Sequence, residues 1–344
     1  MRFLLQILIV NSFLISPCLA QEGSARTSTA FIAQINDSIK AEVFLRYDEE
    51  GEPDAYVCHI NTPVCEHGLC KLLVIDVYWD LLGNFLKYEF PAGEALTKLD
   101  HVEFSREDHE QLQKILLDKG SILRDYPAED LIDRRSQPAS DKADAVSAAT
   151  RVDVKDAVVS GAVYSTYVLW HIVNGPIASR IIDHSKPLLT EERVEKMFYS
   201  SNFFYQYFAL NSIAAKDSLK YLDDVIHLVR NGVSYIPYFA IEKVPASAWA
   251  EETSQLLLLE HFKSADFELQ NFMLSRIENA PLFPAALDQL ISGMKGLRDS
   301  QMVKALRIVK KNEHRLSDTA RRQLATLKNH PNKEVGREVR EILN

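Results

Sequence analysis

The chain changes character near residue 190, and this change limits its fold more than any other feature. Residues 31–100 carry β-branched and aromatic residues between turn signals, which is typical of strands. After residue 190 the strand signals stop, and short segments with apolar residues at i, i+3 and i+4 follow one another. The pattern predicts an α+β N-terminal part followed by an all-α part. The predicted helices of the second part are 191–213, 216–231, 234–243, 247–263, 266–279, 283–294, 299–311, 317–329 and 332–343.

Two late segments have the length of a helical pair each. They are Asp266–Leu297 and Asp299–His330, and their period and pattern resemble HEAT-type helical repeats. Because the match is one of period rather than of fingerprint residues, a compact helical bundle is the alternative for residues 190–344.

The N-terminal part is predicted to contain a β-hairpin and two helices. Residues 80–84 form a turn signal between two alternating apolar segments. A later helix is predicted to end at Asn174-Gly175-Pro176, which is a strong stop signal. The predicted elements are strands 41–47, 71–79 and 85–90 and helices 108–118 and 153–172, whereas residues 21–30 are expected to be loose.

Length and charge exclude some classes of function. A chain of 344 residues is long enough for about two domains. Its formal net charge of -9 argues against a nucleic-acid partner, because phosphate backbones are bound by clustered Lys and Arg. P-loop, GxGxxG and HExxH signatures are absent, so nothing favours a nucleotide-dependent enzyme or a metalloprotease.

The first twenty residues are predicted to be a secretory signal peptide. Arg2 supplies the charged start, an apolar core follows, and Cys18-Leu-Ala20 is a small-residue cleavage site. A lipid anchor at Cys18 is the less favoured alternative. No later segment resembles a membrane span. We therefore expect an exported protein, periplasmic or at the cell surface, with a signal peptide (1–20), an α/β domain (21–180) and a helical domain (190–344).

Export makes a disulfide plausible for the three remaining cysteines. The spacing favours Cys65–Cys70, which enclose a glycine-containing turn, and Cys58–Cys70 is the second choice. A metal site that uses these cysteines with His59 or His67 is a weaker alternative, because the spacing is not that of zinc modules.

The stretch Asp144-Ala-Val-Ser-Ala-Ala-Thr150 has the strongest chemical character. Small residues let the backbone approach a bulky ligand, and Thr150 offers a nucleophilic hydroxyl. Since the stretch precedes the helix predicted for residues 153–172, we expect it at a helix N-terminus, where free N–H groups favour a phosphate.

This stretch resembles the Asp-x-x-Ser/Thr-Gly-Ala-Thr signature of the FMN-binding domain found in subunits of the Rnf and sodium-pumping NADH:quinone oxidoreductase complexes. The resemblance covers roughly residues 40–173. It implies that Thr150 carries FMN through a phosphoester bond and that Asp144 is the acidic position. It also implies that a dedicated transferase loads the flavin. The residues implied to line the phosphate are Ser147, Ala148 and Ala149, of which Ala148 replaces the family's glycine.

Two functions follow as expectations. The first is extracytoplasmic electron transfer by a flavin on Thr150, with the helical domain docking an exported redox protein. The alternative is a non-enzymatic adaptor in which a degenerate FMN-type fold accompanies a protein-binding helical array. Phe203–Phe208, a dense aromatic cluster, is either the lining of a binding groove or part of the core.

Two further sets of residues are weaker candidates. Asp100 and His101, preceded by Lys98, combine an acid, a base and a possible phosphate ligand, although a turn with a solvated imidazole explains them as well. Tyr78 and Trp79 could stack on a flavin ring, but core positions on a strand are the more common role.

Overall fold

The computed structural model describes residues 26–64, 72–98, 101–132, 150–214 and 217–344. The chain divides into two compact units, and the boundary falls between Ile182 and Asp183. An antiparallel sheet lies in the first unit, and the second unit is helical. The architecture is thus α+β followed by all-α, as the sequence predicts at this coarse level.

The sheet has five strands in the order β1-β2-β3-β4-β5, and every neighbouring pair is antiparallel. The strands are β1 (Thr27–Gln34), β2 (Lys40–Tyr47), β3 (Pro53–Thr62), β4 (Leu73–Trp79) and β5 (Phe85–Glu89). The predicted hairpin is confirmed as β4–β5. The predicted loose segment 21–30 is wrong from Thr27 onward, because β1 begins there and pairs with β2.

One face of the sheet is buried, and the other is partly exposed, with Ala55 and Val57 of β3 buried on it as well. Alternate residues of β4, including Ile75, Val77 and Trp79, are buried, which follows from the two-residue period of a strand. The indole N–H of Trp79 donates a 2.8 Å hydrogen bond to the carbonyl of Val173. This bond ties the sheet to the helical layer of the first unit.

The helices of the first unit are α1 (Arg106–Leu117), α2 (Val163–Asn174) and α3 (Pro176–Ser185), of which α3 continues into the second unit. Helix α1 begins with a reciprocal capping box between Ser105 and Asp108, and it contacts α2 and β5. Helix α2 ends at Asn174, as the Asn-Gly-Pro signal predicts.

The start of α2 corrects the sequence prediction. Residues 155–157 form only a short 3-10 turn, Val158 is extended and Gly161 has a φ of +76°. A residue in the left-handed region interrupts a right-handed helix. The helix predicted from residue 153 therefore begins at Val163 instead.

The second unit consists of short helices. They are α4 (Glu191–Met197), α5 (Phe203–Ser212), α6 (Leu222–Asn231), α7 (Ile236–Lys243), α8 (Glu252–Phe262), α9 (Phe267–Ile277), α10 (Pro284–Gly293), α11 (Asp299–Lys311), α12 (Asp318–Ala325) and α13 (Lys333–Leu343). The predicted helix 191–213 is two helices, because the Asn202 side chain caps a new helix by accepting a hydrogen bond from the Phe204 amide.

Alternate helices of this unit contact one another in two series. One series is α5, α7, α9, α11 and α13, and the other is α6, α8, α10 and α12. A continuous hydrophobic core extends from Met197 to Ile342 between them. The sequence pattern of short amphipathic segments therefore folds into two layers of helices that share one core.

Candidate functional site

Of the residues implied by the flavin resemblance, only Thr150 is among those the structure describes. Asp144, Ser147, Ala148 and Ala149 lie outside the described residues. Thr150 is 8% exposed and forms an antiparallel bridge with Ile132. The next amide, that of Arg151, donates a 3.2 Å hydrogen bond to the carbonyl of Leu131. Thr150 thus occupies a buried position in extended backbone.

The charged residues that follow Thr150 are engaged with each other. The guanidinium of Arg151 lies 3.2 Å from the Asp153 carboxylate and 5.5 Å from the centre of the Tyr126 ring. The Tyr126 hydroxyl donates to the same carboxylate, and these hydrogen bonds lower the pKa of Asp153. Arg151 is therefore held by Asp153 and Tyr126.

The position of Thr150 differs from the expected one at a helix N-terminus. Helix α2 begins only at Val163, and a 3-10 turn and an extended residue lie between. The prediction that the motif leads directly into a helix is wrong. Thr150 is therefore a buried residue in extended backbone, whereas the sequence pattern predicts a hydroxyl beside a helix start.

The weaker candidates have structural roles in the described residues. Lys98 forms a 2.7 Å ion pair with Asp108 at the start of α1. His101 is exposed with a φ of +60°, and Asp100 lies outside the described residues. Within the ranges described, no three His, Cys, Asp or Glu side chains are grouped so that they could hold a metal ion.

Tyr78 and Trp79 are neighbours on β4 and therefore point to opposite faces of the sheet. Trp79 is in the core, as its bond to Val173 requires. Tyr78 lies on the solvent face, where the Arg46 guanidinium and the Lys87 ammonium approach its ring to 5.7 and 4.8 Å. The two rings cannot stack on the same flavin.

Cys58 is a free, fully buried thiol on β3. Burial, with a smaller contribution from the Asp76 carboxylate, raises the pKa of Cys58 to about 12. The alternative pairing of Cys58 with Cys70 is therefore not formed. The favoured pairing, Cys65–Cys70, lies outside the described residues.

The most distinctive surface is a row of aromatic side chains on one layer of the helical unit. On α5 the rings of Phe203 and Tyr207 stack almost in parallel, 5.9 Å apart, and Tyr207 meets Phe239 of α7 edge-to-face at 5.1 Å. Tyr238, the neighbour of Phe239, meets Phe272 of α9 at 6.2 Å. We call this surface the aromatic ladder; it comprises Phe203, Phe204, Tyr207, Tyr235, Tyr238, Phe239 and Phe272.

The ladder is accessible although its members touch. Tyr207, Phe239 and Phe272 are 41%, 38% and 37% exposed, and Tyr235 is 68% exposed. Buried residues of the same helices, such as Ala240 and Met273, anchor the ladder to the core. The exposed rings are thus held in place by contacts with each other and by helices that pack on the core.

The sequence pattern indicates only one end of this surface. Phe203–Phe208 stands out as a cluster, whereas the remaining rings are scattered along the chain. The available signal was their period, because Tyr207, Phe239 and Phe272 recur at spacings of 32 and 33 residues. Recognising it requires knowing that α5, α7 and α9 are neighbours in one layer.

Carboxylates accompany the tyrosine hydroxyls of this region. The Tyr238 hydroxyl donates a 2.5 Å hydrogen bond to Asp266, the N-cap of α9. This bond, together with burial and the charges of Asp266 and Glu268, raises the pKa of Tyr238 to about 12. On the other layer, the Tyr199 hydroxyl donates a 2.6 Å hydrogen bond to Asp224 of α6. Asp266 therefore links the Tyr238 ring of the ladder to the start of α9.

Within the described ranges, every helix is too short or too polar to cross a lipid bilayer. Comparisons of the chain with protein-family models, with curated proteins and with solved structures each gave no match. The functional inference therefore depends on the residues themselves.

Proposed function

We propose that the protein is a scaffold whose helical unit binds a partner protein through the aromatic ladder. The exposure of packed aromatic rings across three successive helices of one layer carries this proposal. Contiguous exposed apolar surface is uncommon on monomers and marks interaction sites. Aromatic residues are enriched at protein interfaces and often supply most of their binding energy.

The arrangement of the helices supports a HEAT-like array. Two layers of alternate helices, a shared core and a ring spacing of 32 and 33 residues are features of repeats built from helical pairs. Such arrays bind partners along one layer, because each repeat adds equivalent positions to a continuous surface. The ladder occupies such positions on α5, α7 and α9.

The rival is the flavoprotein, with FMN on Thr150 and electron transfer to an exported redox protein. The signature-like stretch Asp144–Thr150 supports it, and the burial of Thr150 weighs against it. Covalent flavin stays a prediction from the resemblance, as does loading by a transferase. The predicted signal peptide supports an exported location, periplasmic or cell-surface, for either function.

A quantitative affinity capture tests the scaffold. Full-length tagged protein and the double variant Tyr207→Ala/Phe239→Ala are recovered from the native host, and co-purified proteins are compared by mass spectrometry. Truncation of two interface aromatics is expected to cost about 2 kcal/mol or more, hence a loss of more than about tenfold in the specific partner. The control is Leu219→Ala, which truncates another exposed apolar residue of the same unit.

Equal recovery by wild type and double variant would contradict the scaffold proposal. The flavoprotein alternative is tested by the intact mass of the protein purified from cells that also make a flavin transferase. If the protein is only a scaffold, its mass should equal that of the processed polypeptide. An added FMN that disappears in Thr150→Ala would instead establish the flavoprotein.

A further inference from the structure

Cations border the aromatic ladder on one side. Lys243 follows Phe239 by four residues on α7, and Arg276 follows Phe272 by four residues on α9. Residues four apart lie on the same face of a helix, one turn from each other. Each of these two rings therefore has a cation on its C-terminal side.

A third cation stands at the end of the row of rings. Lys304 of α11 follows Phe272 by 32 residues, which matches the spacing between the rings themselves. Its ammonium donates a 2.7 Å hydrogen bond to the hydroxyl of Ser275, which lies one turn after Phe272 on α9. We call Lys243, Arg276 and Lys304 the cationic border of the ladder.

The carboxylates of the ladder helices do not neutralise this border. Among the described residues, none of its three side chains forms an ion pair. Glu268 lies four residues before Phe272, hence on the opposite side of that ring from Arg276, and about 12 Å of helix separates the two charges. Glu242 is the one carboxylate that α7 and α9 place on the same side as the border. One acidic side chain thus stands against three cations.

The two layers of the helical unit carry opposite net charges. The helices of the ladder layer, α5, α7, α9, α11 and α13, contain 9 basic and 6 acidic residues, a net charge of +3. Helices α6, α8, α10 and α12 contain 3 basic and 6 acidic residues, a net charge of -3. The excess on the ladder layer comes from α11, and its ion pairs with α13 do not remove it, because α13 has three residues of each sign.

We propose that the aromatic ladder and its cationic border together bind an acidic, amphipathic segment of the partner protein. Apolar side chains of the segment cover the exposed rings of Tyr207, Phe239 and Phe272, and its Asp or Glu side chains pair with the border. This inference rests on the proposed scaffold function and adds the chemistry of the partner.

Charge at the edge of an apolar contact selects the partner, because like charges placed opposite each other cost free energy. A basic segment on the ladder would meet three cations, whereas an acidic one gains a partner for each of them. The net charge of -9 of the whole chain does not reverse this preference. Exposed charges more than about 8 Å apart are largely screened at physiological ionic strength, so the charges at the contact decide.

A lipid bilayer and a second copy of this chain are the other occupants to test. Exposed rings beside cations also bind anionic bilayers, but such surfaces use clusters of about four to eight cations, and the border supplies three. A second copy offers its acidic layer, but a contact between unlike layers is not self-complementary and would extend from copy to copy. Vesicle binding and concentration-dependent assembly distinguish these occupants from a partner segment.

Fluorescence polarisation with designed peptides tests the inference. Labelled amphipathic peptides of equal length and identical apolar residues carry Glu and Asp, Gln, or Lys and Arg at their polar positions. They are titrated with the full-length protein. We expect the acidic peptide to bind about fivefold or more tighter than the neutral one, the basic peptide to bind most weakly, and added salt to narrow the difference.

Two sets of variants separate the border from the rings. Arg276→Gln/Lys304→Gln should reduce the preference for the acidic peptide severalfold and leave neutral-peptide binding unchanged. Arg321→Gln/Arg322→Gln removes two exposed cations from α12 on the other layer. It is the matched control, because it changes the net charge equally, and it should leave all three affinities unchanged. Tyr207→Ala/Phe239→Ala should weaken the acidic and neutral peptides alike.

Each contrary outcome identifies which idea fails. Equal or tighter binding of the neutral or basic peptide overturns the acidic-partner inference, while the scaffold stands if partner capture depends on the ladder. Failure of all peptides, combined with ladder-dependent capture, also overturns the inference alone. Binding to vesicles of phosphatidylcholine and phosphatidylglycerol, or concentration-dependent assembly of the protein, overturns both proposals if it is lost in Tyr207→Ala/Phe239→Ala.

Discussion

At the scale of single residues, Gly83 couples the β4–β5 turn to the helical layer. Its φ is +70°, and a Cβ built there would lie 2.6 Å from the carbonyl oxygen of Ala178 on α3. Both the backbone conformation and the space exclude a side chain. The turn can therefore approach the helix only because this residue is glycine.

Gly83→Ala should lower the free energy of unfolding by about 3 kcal/mol, which combines the cost of left-handed backbone with that of a steric clash. Gly93→Ala is the matched control, since Gly93 has a φ of +84° and open space around it. It should cost only the backbone part, about 1 kcal/mol. Urea unfolding measures the loss of stability in both variants. Equal losses for Gly83→Ala and Gly93→Ala would show that the β4–β5 turn does not contact α3 closely.

Cys58 is predicted to be chemically inert in the folded protein. Its pKa of about 12 leaves almost no thiolate at pH 8, and burial blocks access. Alkylation by iodoacetamide, followed at the Cys58 peptide by mass spectrometry, should be more than about a thousandfold slower than that of an ordinary thiol. Rapid labelling of the native protein, or a Cys58 disulfide in the digest, would contradict the structure.

At the scale of elements, Asp266 links two helices of the ladder layer. Its carboxylate caps α9 by accepting from the Leu269 amide at 2.9 Å, and it accepts the Tyr238 hydroxyl from α7. These hydrogen bonds, that of Leu269 first, lower the pKa of Asp266 below 3.8. The folded state thus prefers the ionised form.

Asp266→Ala should destabilise the protein by about 1 kcal/mol at pH 7, the usual effect of losing an N-cap. Asp266→Asn keeps a capping oxygen and should lose less. Because the folded pKa is lowered, the charge stabilises the protein above pH 3.8, and this contribution disappears as pH falls through the folded pKa. In thermal unfolding, the melting temperatures of the wild type and Asp266→Asn should converge as the pH falls. A difference in melting temperature that grows in acid would contradict this linkage.

Sequence patterns predicted elements well where one periodicity dominated. The β4–β5 hairpin alternates around a clear turn, and the helices from α6 onward are separated by Gly, Pro, Asn or capping residues. The prediction was wrong at the start of α2, where the backbone conformation of two residues prevents a helix. The small residues 153–162 suggested a helix, but the left-handed Gly161 and the extended Val158 prevent one.

The candidate site could be predicted only in part, for a physical reason. The rings of the ladder come together because α5, α7 and α9 are stacked, and this stacking depends on long-range packing. The sequence pattern indicates the cluster at Phe203–Phe208 but not its continuation at Phe239 and Phe272. Thr150 stands out in the sequence because its hydroxyl follows a run of small residues. Its buried position is formed with Ile132, which is distant in sequence, so no local pattern predicts it.

At the scale of the whole molecule, an α+β unit precedes a helical unit that carries an accessible aromatic surface. The most prominent chemical stretch of the sequence ends at a buried threonine, whereas exposed rings cross three helices. These two observations favour a scaffold over a flavoprotein. The ladder, rather than Thr150, is therefore the place where function should be tested first.

Site-specific photo-crosslinking tests the ladder most directly. Benzoylphenylalanine replaces Phe239 in the full-length protein made in its native host, and replaces the exposed Leu219 in a control. The scaffold account predicts a discrete light-dependent adduct with one partner protein from position 239, which is absent from position 219. Absence of any protein adduct at position 239, or equal adducts at both positions, would contradict it.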